Sequence, residues 1–285
     1  MSYKSFALIG ANGLLGKHIL NALITENIPV LILTRKTSDS SSNIPATSNI
    51  KIAKVDYKES AEISAVLKEN NVDVVISAVK MVPGGKSQYT LTDSAKVVGV
   101  KLFVLSEFGN VTARSSLTVY KEKDDFAKYL KKIGLPSARI YTGVFFVYIP
   151  AFVGYHVNQK FNIVGKGHTK ASFSALEDIG GFVVHIITHL PAEQLNDKMF
   201  CLQSEGLMLV ELTAKVGLPP NHVDKLLGDL AESFMATAQG LIEGGQGSTR
   251  WDYEMNKESV ERAGSANALW PGHEWKTITP ALFSK

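Results

Sequence analysis

Cysteine is all but missing: Cys201 stands alone in 285 residues, which excludes an internal disulfide and a cysteine-built zinc site and fits a reducing compartment. No apolar run approaches the roughly 20 residues of a membrane-spanning helix. The net charge is only +3, and no arginine-rich stretch or stacked-aromatic motif accompanies it, so no nucleic-acid partner is expected. The first strand begins within about five residues of Met1, with no charged and apolar leader ahead of it. These absences predict a cytoplasmic protein with no membrane partner. Apolar residues make up 45% of the chain, enough for one large α/β domain or a nucleotide domain with a smaller companion.

Phe6 to Ile9 has the length of a buried strand, and it breaks at Gly10-Ala11-Asn12-Gly13-Leu14-Leu15-Gly16. From there Leu14, Leu15, Ile19, Leu20 and Leu23 recur at helical spacing. A strand, a glycine turn and a helix together aim backbone N–H groups and the positive helix end at a pyrophosphate. The spacing is GxxGxxG instead of the GxGxxG fingerprint, so the strand–helix context carries the reading. Gly10, Asn12, Gly13, Leu14, Leu15 and Gly16 are the candidate cradle. After a second strand at Pro29–Leu33 come Thr34-Arg35-Lys36, where an NAD-specific fold would place an acid on the ribose 2′-OH. Arg35 and Lys36 could pair with a 2′-phosphate, which predicts NADP(H) as cofactor; Asp39 lies close enough downstream to keep NAD open.

Strands and helices go on alternating. The loop Thr37–Ser48 is followed by strand Lys51–Val55, helix Glu59–Lys68, strand Val72–Ser77, helix Gln88–Val98, strand Lys101–Leu105, helix Leu117–Ile133 and strand Ser137–Tyr141. The rhythm predicts an α/β fold with a doubly wound parallel sheet (an NAD(P)-binding Rossmann fold) and ligands at the carboxyl ends of its strands. Ser77, Ala78 and Val79, then Ser106, Glu107 and Phe108, and finally Gly143, Val144 and Phe145 fall at such ends and are candidate cofactor contacts. Gly84-Gly85-Lys86-Ser87 imitates the end of a P-loop, but Lys80 occupies the place of that motif's first glycine, which excludes a triphosphate site. On the helix Leu117–Ile133, Val119, Lys123, Phe126, Leu130 and Ile133 line one face, opposite Lys121, Asp125, Lys128 and Lys132. Lys123 is thus a charge in an apolar stripe, where it must find a partner or shift its pKa. It is the candidate catalytic residue and a candidate cofactor contact. Tyr253 and Lys257 have the Tyr-x-x-x-Lys spacing but lie far past the fifth strand. His185 and His189 lack the glutamate of a zinc helix.

After Pro150 the alternation loosens: a short helix, the turn Gly165-Lys166-Gly167, strand Ala171–Ser174, helix Asp178–His189, strand Lys198–Leu202, helices Leu209–Val216 and Val223–Leu241, and a loop Gly240–Gly247. The expected division is residues 1–147 for dinucleotide binding and 148–285 mainly for a small-molecule substrate, with some elements packing back on the sheet. Phe108, Phe146, Tyr148 and Tyr155 are the candidate substrate contacts.

The GxxGxxG loop, the basic residues after the second strand, and Gln88 leading through Ala95, Gly99 and Val100 into Ser106-Glu107-Phe108-Gly109 resemble the NmrA-like and isoflavone reductase-like family of atypical short-chain dehydrogenases/reductases. The resemblance covers about Lys4 to Ile187 and is closest over Gln88–Gly143. It implies an NADP-binding fold and, for many members, NADPH-dependent reduction of small aromatic or alkaloid-like secondary metabolites. The family's reductases carry a lysine 13 positions before the proline of a Gly-hydrophobic-Pro turn; here that position is Lys123, ahead of Gly134-Leu135-Pro136. The resemblance also leaves two other readings open: a redox-sensing regulator that binds the dinucleotide and a protein partner without turnover, and an enzyme of a non-redox biosynthetic step.

Overall fold

Short strands, the central ones buried on both faces, build the first of two units into which the chain folds. The computed structural model describes residues 3–37, 44–79, 87–226 and 234–284. In order come β1 (Phe6–Ile9), α1 (Gly16–Thr25), β2 (Val30–Arg35), β3 (Ile50–Val55), α2 (Ser60–Glu69), β4 (Val74–Ser77), α3 (Ser87–Val97), β5 (Leu102–Val104), α4 (Thr118–Lys132) and β6 (Ser137–Tyr141). Every residue of β1 and β4 is buried. The pairs β1–β2, β2–β3, β1–β4, β4–β5 and β5–β6 are all parallel, with Phe6 facing both Val30 and Val74. The resulting order, β3-β2-β1-β4-β5-β6, reverses direction between β1 and β4, the switch point where ligands of doubly wound sheets bind. Helix residues Ile63, Leu67, Leu91, Ala95, Phe126 and Leu130 pack with the strand residues Ala7, Ile9, Val75 and Phe103 into one core.

The second unit starts with β7 (Val144–Phe145), α5 (Ile149–Phe152), α6 (Tyr155–Asn158), β8 (Phe161–Val164) and β9 (Lys170–Ser174). The chain then returns to the first unit through α7 (Leu176–His189) and β10 (Lys198–Cys201), the edge strand beside β6. Gly180 shows how closely α7 packs there, since a Cβ on it would lie 2.6 Å from the His18 carbonyl carbon of α1. Thereafter β11 (Glu205–Met208), α8 (Leu209–Val216), β12 (Pro220–Val223) and α9 (Phe234–Glu243) complete the second unit around Phe152, Phe161, Phe173 and Leu212. The first unit comprises Met1–Glu107, Ser115–Ile140 and Ile179–Phe200; the rest of the chain forms the second. The chain therefore crosses between units several times.

Two elements depart from the sequence reading. Residue 223 ends a strand and does not begin a helix, because Pro220–Val223 pairs in parallel with Phe161–Val164 and edge pairing outweighs local helix preference. Gly240 lies inside α9, which runs on to Glu243 before the chain turns. Lys80, Gly84, Gly85 and Lys86 of the discarded P-loop, and Asp39 with the middle of the Thr37–Ser48 loop, lie outside the described residues. Among the described residues no helix is long and apolar enough to cross a membrane.

Candidate active site

The carboxyl ends of β1, β4 and β5 share one edge of the first unit's sheet, and three loops meet the solvent there. At the end of β1, Gly10 takes φ +84°, a left-handed conformation suited to glycine. A Cβ on it would stand 2.8 Å from the Ala78 carbonyl oxygen, so the loop after β4 lies directly against it. The Ala78 N–H donates to the Ile9 carbonyl at 2.9 Å, which fixes Ser77-Ala78-Val79 beside the glycine loop. Gly13 N–H donates to Gly10 O at 2.8 Å and closes the turn. A Cβ at Gly16 would fall 1.9 Å from the same Gly10 oxygen, so this position accepts only glycine without backbone movement. Gly16 thus serves the seating of α1 against its own loop.

A Cβ at Gly13, by contrast, would meet only the Gly10 and Ala78 carbonyl oxygens, at 3.1 and 3.6 Å. Leu15 precedes helix α1 as its N-cap and gives it no side-chain cap, and the first turn holds no acid. A helix start of this kind presents backbone donors and positive potential to an anion. The loop therefore fits a dinucleotide pyrophosphate at Gly10–Gly16, with Asn12, Leu14 and Leu15 in the turn itself.

At the end of β2 the two basic residues differ. Lys36 forms an exposed ion pair with Glu62 of α2 at 2.7 Å, and Glu62 in turn accepts the Asp56 N–H at 3.1 Å. Hydrogen bonding to Glu62 raises the Lys36 pKa, and the same bond lowers that of Glu62. Arg35 is exposed. Its charge reaches Tyr57, whose phenol is pushed up by burial and donates to the Leu33 carbonyl at 2.9 Å. Of the two, Lys36 is the one paired with a carboxylate.

Lys123 sits on α4 with its Nζ donating to the Glu107 carbonyl oxygen at 2.7 Å, in the turn that follows β5. Burial lowers its pKa, the Glu107 carboxylate opposes that shift, and the Arg139 guanidinium reinforces it. Ser106 occupies the same turn, where Glu107 N–H bends back to the Leu105 carbonyl at 2.8 Å. By its spacing Lys123 is the one charge in an apolar stripe; its neighbour Asp124 is 4% exposed and equally part of the buried face. Arg139 Nε donates to Glu107 Oε1 at 2.8 Å and its Nη1 to Asp124 Oδ1 at 2.9 Å. Arg139 and Asp124 went unnoticed in the sequence. The available signal was an arginine inside the otherwise apolar strand Ser137–Tyr141, where a buried charge needs a counter-charge.

The remaining candidates belong to the second unit. Phe108 has φ +29°, a strained value for an aromatic residue of the kind found where function constrains the backbone. Thr142 and Gly143 N–H both donate to the Gly109 carbonyl, at 2.8 and 3.0 Å. Gly143 has φ +65°, and a Cβ there would strike the Ser172 carbonyl oxygen at 2.0 Å. This tight packing sets Val144 and Phe145 against Phe173 and Ser174 of β9. The candidate substrate contacts Phe146, Tyr148 and Tyr155 differ in exposure. Phe146 is 7% exposed and packs in the unit's core, and Tyr155 stands edge-on to Phe283 at 5.0 Å on the margin of that core, so both are drawn inward by apolar burial. Phe145, partly exposed, stacks on the exposed Tyr148 with ring centroids 5.8 Å apart. Tyr253 belongs to a small cluster with Val111, Tyr141 and Cys201, and His185 and His189 stack on each other at 4.4 Å. Among the described residues no group of side chains could hold a metal ion.

Parallel strands in this order, with a glycine turn at the switch point, define a dinucleotide-binding protein of the doubly wound class. Within that class, the chain belongs to the NmrA-like family, whose pattern matches residues 2–215. It is 33% identical over 264 residues to a leucoanthocyanidin reductase of Desmodium uncinatum, an alignment that takes in 85% of this chain and 65% of that relative's length. It is 26% identical over 314 residues to phenylcoumaran benzylic ether reductase PT1 of Pinus taeda, covering 99% of this chain and 98% of the relative. The fold matches the binary complex of leucoanthocyanidin reductase with NADPH from Vitis vinifera, with a TM-score of 0.74, 22% identity and 98% of both chains covered.

Proposed function

We propose that this chain is an NADPH-dependent reductase of a small aromatic molecule, with Lys123 as its proton donor or oxyanion stabiliser. The observation that carries the reading is the Lys123 amine, anchored 2.7 Å from the Glu107 carbonyl at the carboxyl end of β5, on the sheet edge that also bears the glycine loop. When bound, the dinucleotide supplies a hydride. Gly10–Gly16 hold its pyrophosphate, Arg35 pairs with its 2′-phosphate, and Ser77–Val79 border it. An amine whose pKa burial has lowered holds its proton less tightly, so Lys123 can release it to a substrate oxygen as negative charge develops there. While protonated, it stabilises that charge directly. Phe145 and Tyr148 offer a flat face to an aromatic ring. The reductase names of the two relatives and the NADPH held by the Vitis vinifera structure support the same chemistry. A cytoplasmic site goes with it, supported by a cysteine count of one, which provides no internal disulfide.

Calorimetry with NADPH and NADH, followed by a screen of carbonyl, quinone and enone compounds for loss of NADPH absorbance, tests the proposal. NADPH should bind at least about tenfold more tightly than NADH, on the scale of one charge-assisted pair, and one compound class should be consumed. Failure of NADPH to bind would overturn it.

A further inference from the structure

Three elements of the first unit converge on Lys123 through a single side chain. Arg139 projects from β6 and bridges Glu107, in the turn after β5, to Asp124, on α4. The side chain of Arg139 is 11% exposed, with Glu107 at 1% and Asp124 at 5%. Asp124 is the residue next to Lys123, and Glu107 supplies the carbonyl on which the Lys123 amine rests. Both ends of that hydrogen bond, the carbonyl and the helix position, are therefore held by the two arms of one guanidinium.

We infer that Arg139 is the positioning residue for Lys123, clamping Glu107 to Asp124 so that the amine is presented at one fixed place at the carboxyl end of β5. The inference rests on the reading that Lys123 performs the proton chemistry. Stability alone is a poor reason for such a cluster, because apolar residues of the same volume commonly replace buried ion pairs without loss. Charge matters as well as geometry. Two carboxylates against one guanidinium leave one negative charge, which the Lys123 amine and Lys128 both face. Lys128 approaches Asp124 from the solvent side at 2.9 Å, with 67% of its side chain exposed. A lysine at 139 would keep the charge but not the fork that reaches two carboxylates on different elements.

The test uses the full-length protein carrying Arg139→Lys, Arg139→Met or Glu107→Gln. Two readouts are taken: NADPH turnover, and the titration of the Lys123 amine followed by competitive acetylation and peptide mass spectrometry from neutral to alkaline pH. Arg139→Lys should lower kcat on the order of 10²-fold, the cost of a small misplacement, while NADPH affinity changes less than about threefold. Arg139→Met removes a neighbouring cation and frees two carboxylates, so the Lys123 titration should move to higher pH. Glu107→Gln removes an anion and should move it lower. The displacements report that both charges face the amine, and a loss of kcat in Arg139→Lys with NADPH affinity kept is not expected from a merely structural arginine. If Arg139→Lys turns over like the wild type, or if the amine titrates unchanged in Glu107→Gln and in whichever Arg139 variant folds, the positioning role is wrong. Displaced titration together with a fully active Lys123→Met would leave the clamp standing and remove the catalytic reading instead.

Discussion

At the scale of single residues, Lys123, Arg35 and Lys36 carry the sharpest expectations. Replacing Lys123 by Met keeps the methylene stem and deletes the charge, and turnover should fall by about 10²–10⁴-fold, the usual worth of a general acid. Its stability signature is separate. Burial lowers the folded-state pKa of Lys123, so between that value and the ordinary lysine range the unfolded chain binds more protons and wild-type stability rises with pH. Lys123→Met lacks this rise. Its stability relative to wild type should be greatest near neutral pH and shrink as pH climbs through that window, which urea midpoints at several pH values would measure. For cofactor choice, Arg35→Ala should cut the preference for NADPH over NADH by about tenfold or more. Lys36→Ala should matter far less, because Lys36 is already committed to Glu62. Equal effects in calorimetry would show that both cations reach the 2′-phosphate.

At the scale of elements, the last two glycines of the loop separate binding from folding. Gly16→Ala places a methyl 1.9 Å from a backbone oxygen, so it should cost at least about 1–3 kcal/mol of stability. Gly13→Val should give a folded protein that binds NADPH poorly, since its side chain enters the space a pyrophosphate would occupy. Circular dichroism with calorimetry distinguishes the two failures. The loop and the alternation of β1 to β6 were legible in the sequence because glycine turns and apolar periods are local signals. Strand β12 was not, since Val223 reads as helical until Phe161–Val164 is there to pair with it. Lys123 was legible as a charge in a stripe, whereas Asp124 and Arg139 were hidden because their partners are distant in sequence. Which way Phe146 faces was not legible either, because the sequence marks an aromatic residue but not which side of a single 3-10 turn meets the core.

At the scale of the whole molecule, binding of NADPH to the folded chain alone should stabilise it. A concentration of about 100 Kd corresponds to about 2.7 kcal/mol, a rise of several degrees in Tm, and NADH at the same concentration should give less. A chain that turned over no substrate could still show that shift, so thermal stabilisation identifies the cofactor and leaves the chemistry to a second measurement. The most direct one is the steady-state rate of NADPH oxidation at saturating cofactor, with a substrate found by the screen, for wild type, Lys123→Met and Lys121→Met. Lys121 is the matched comparison, an exposed residue of the same helix paired with Asp125. Lys121→Met should keep the wild-type rate while Lys123→Met loses at least about 100-fold with NADPH affinity nearly intact. A Lys123→Met protein that oxidises NADPH as fast as the wild type would contradict the assignment of the chemistry to this lysine.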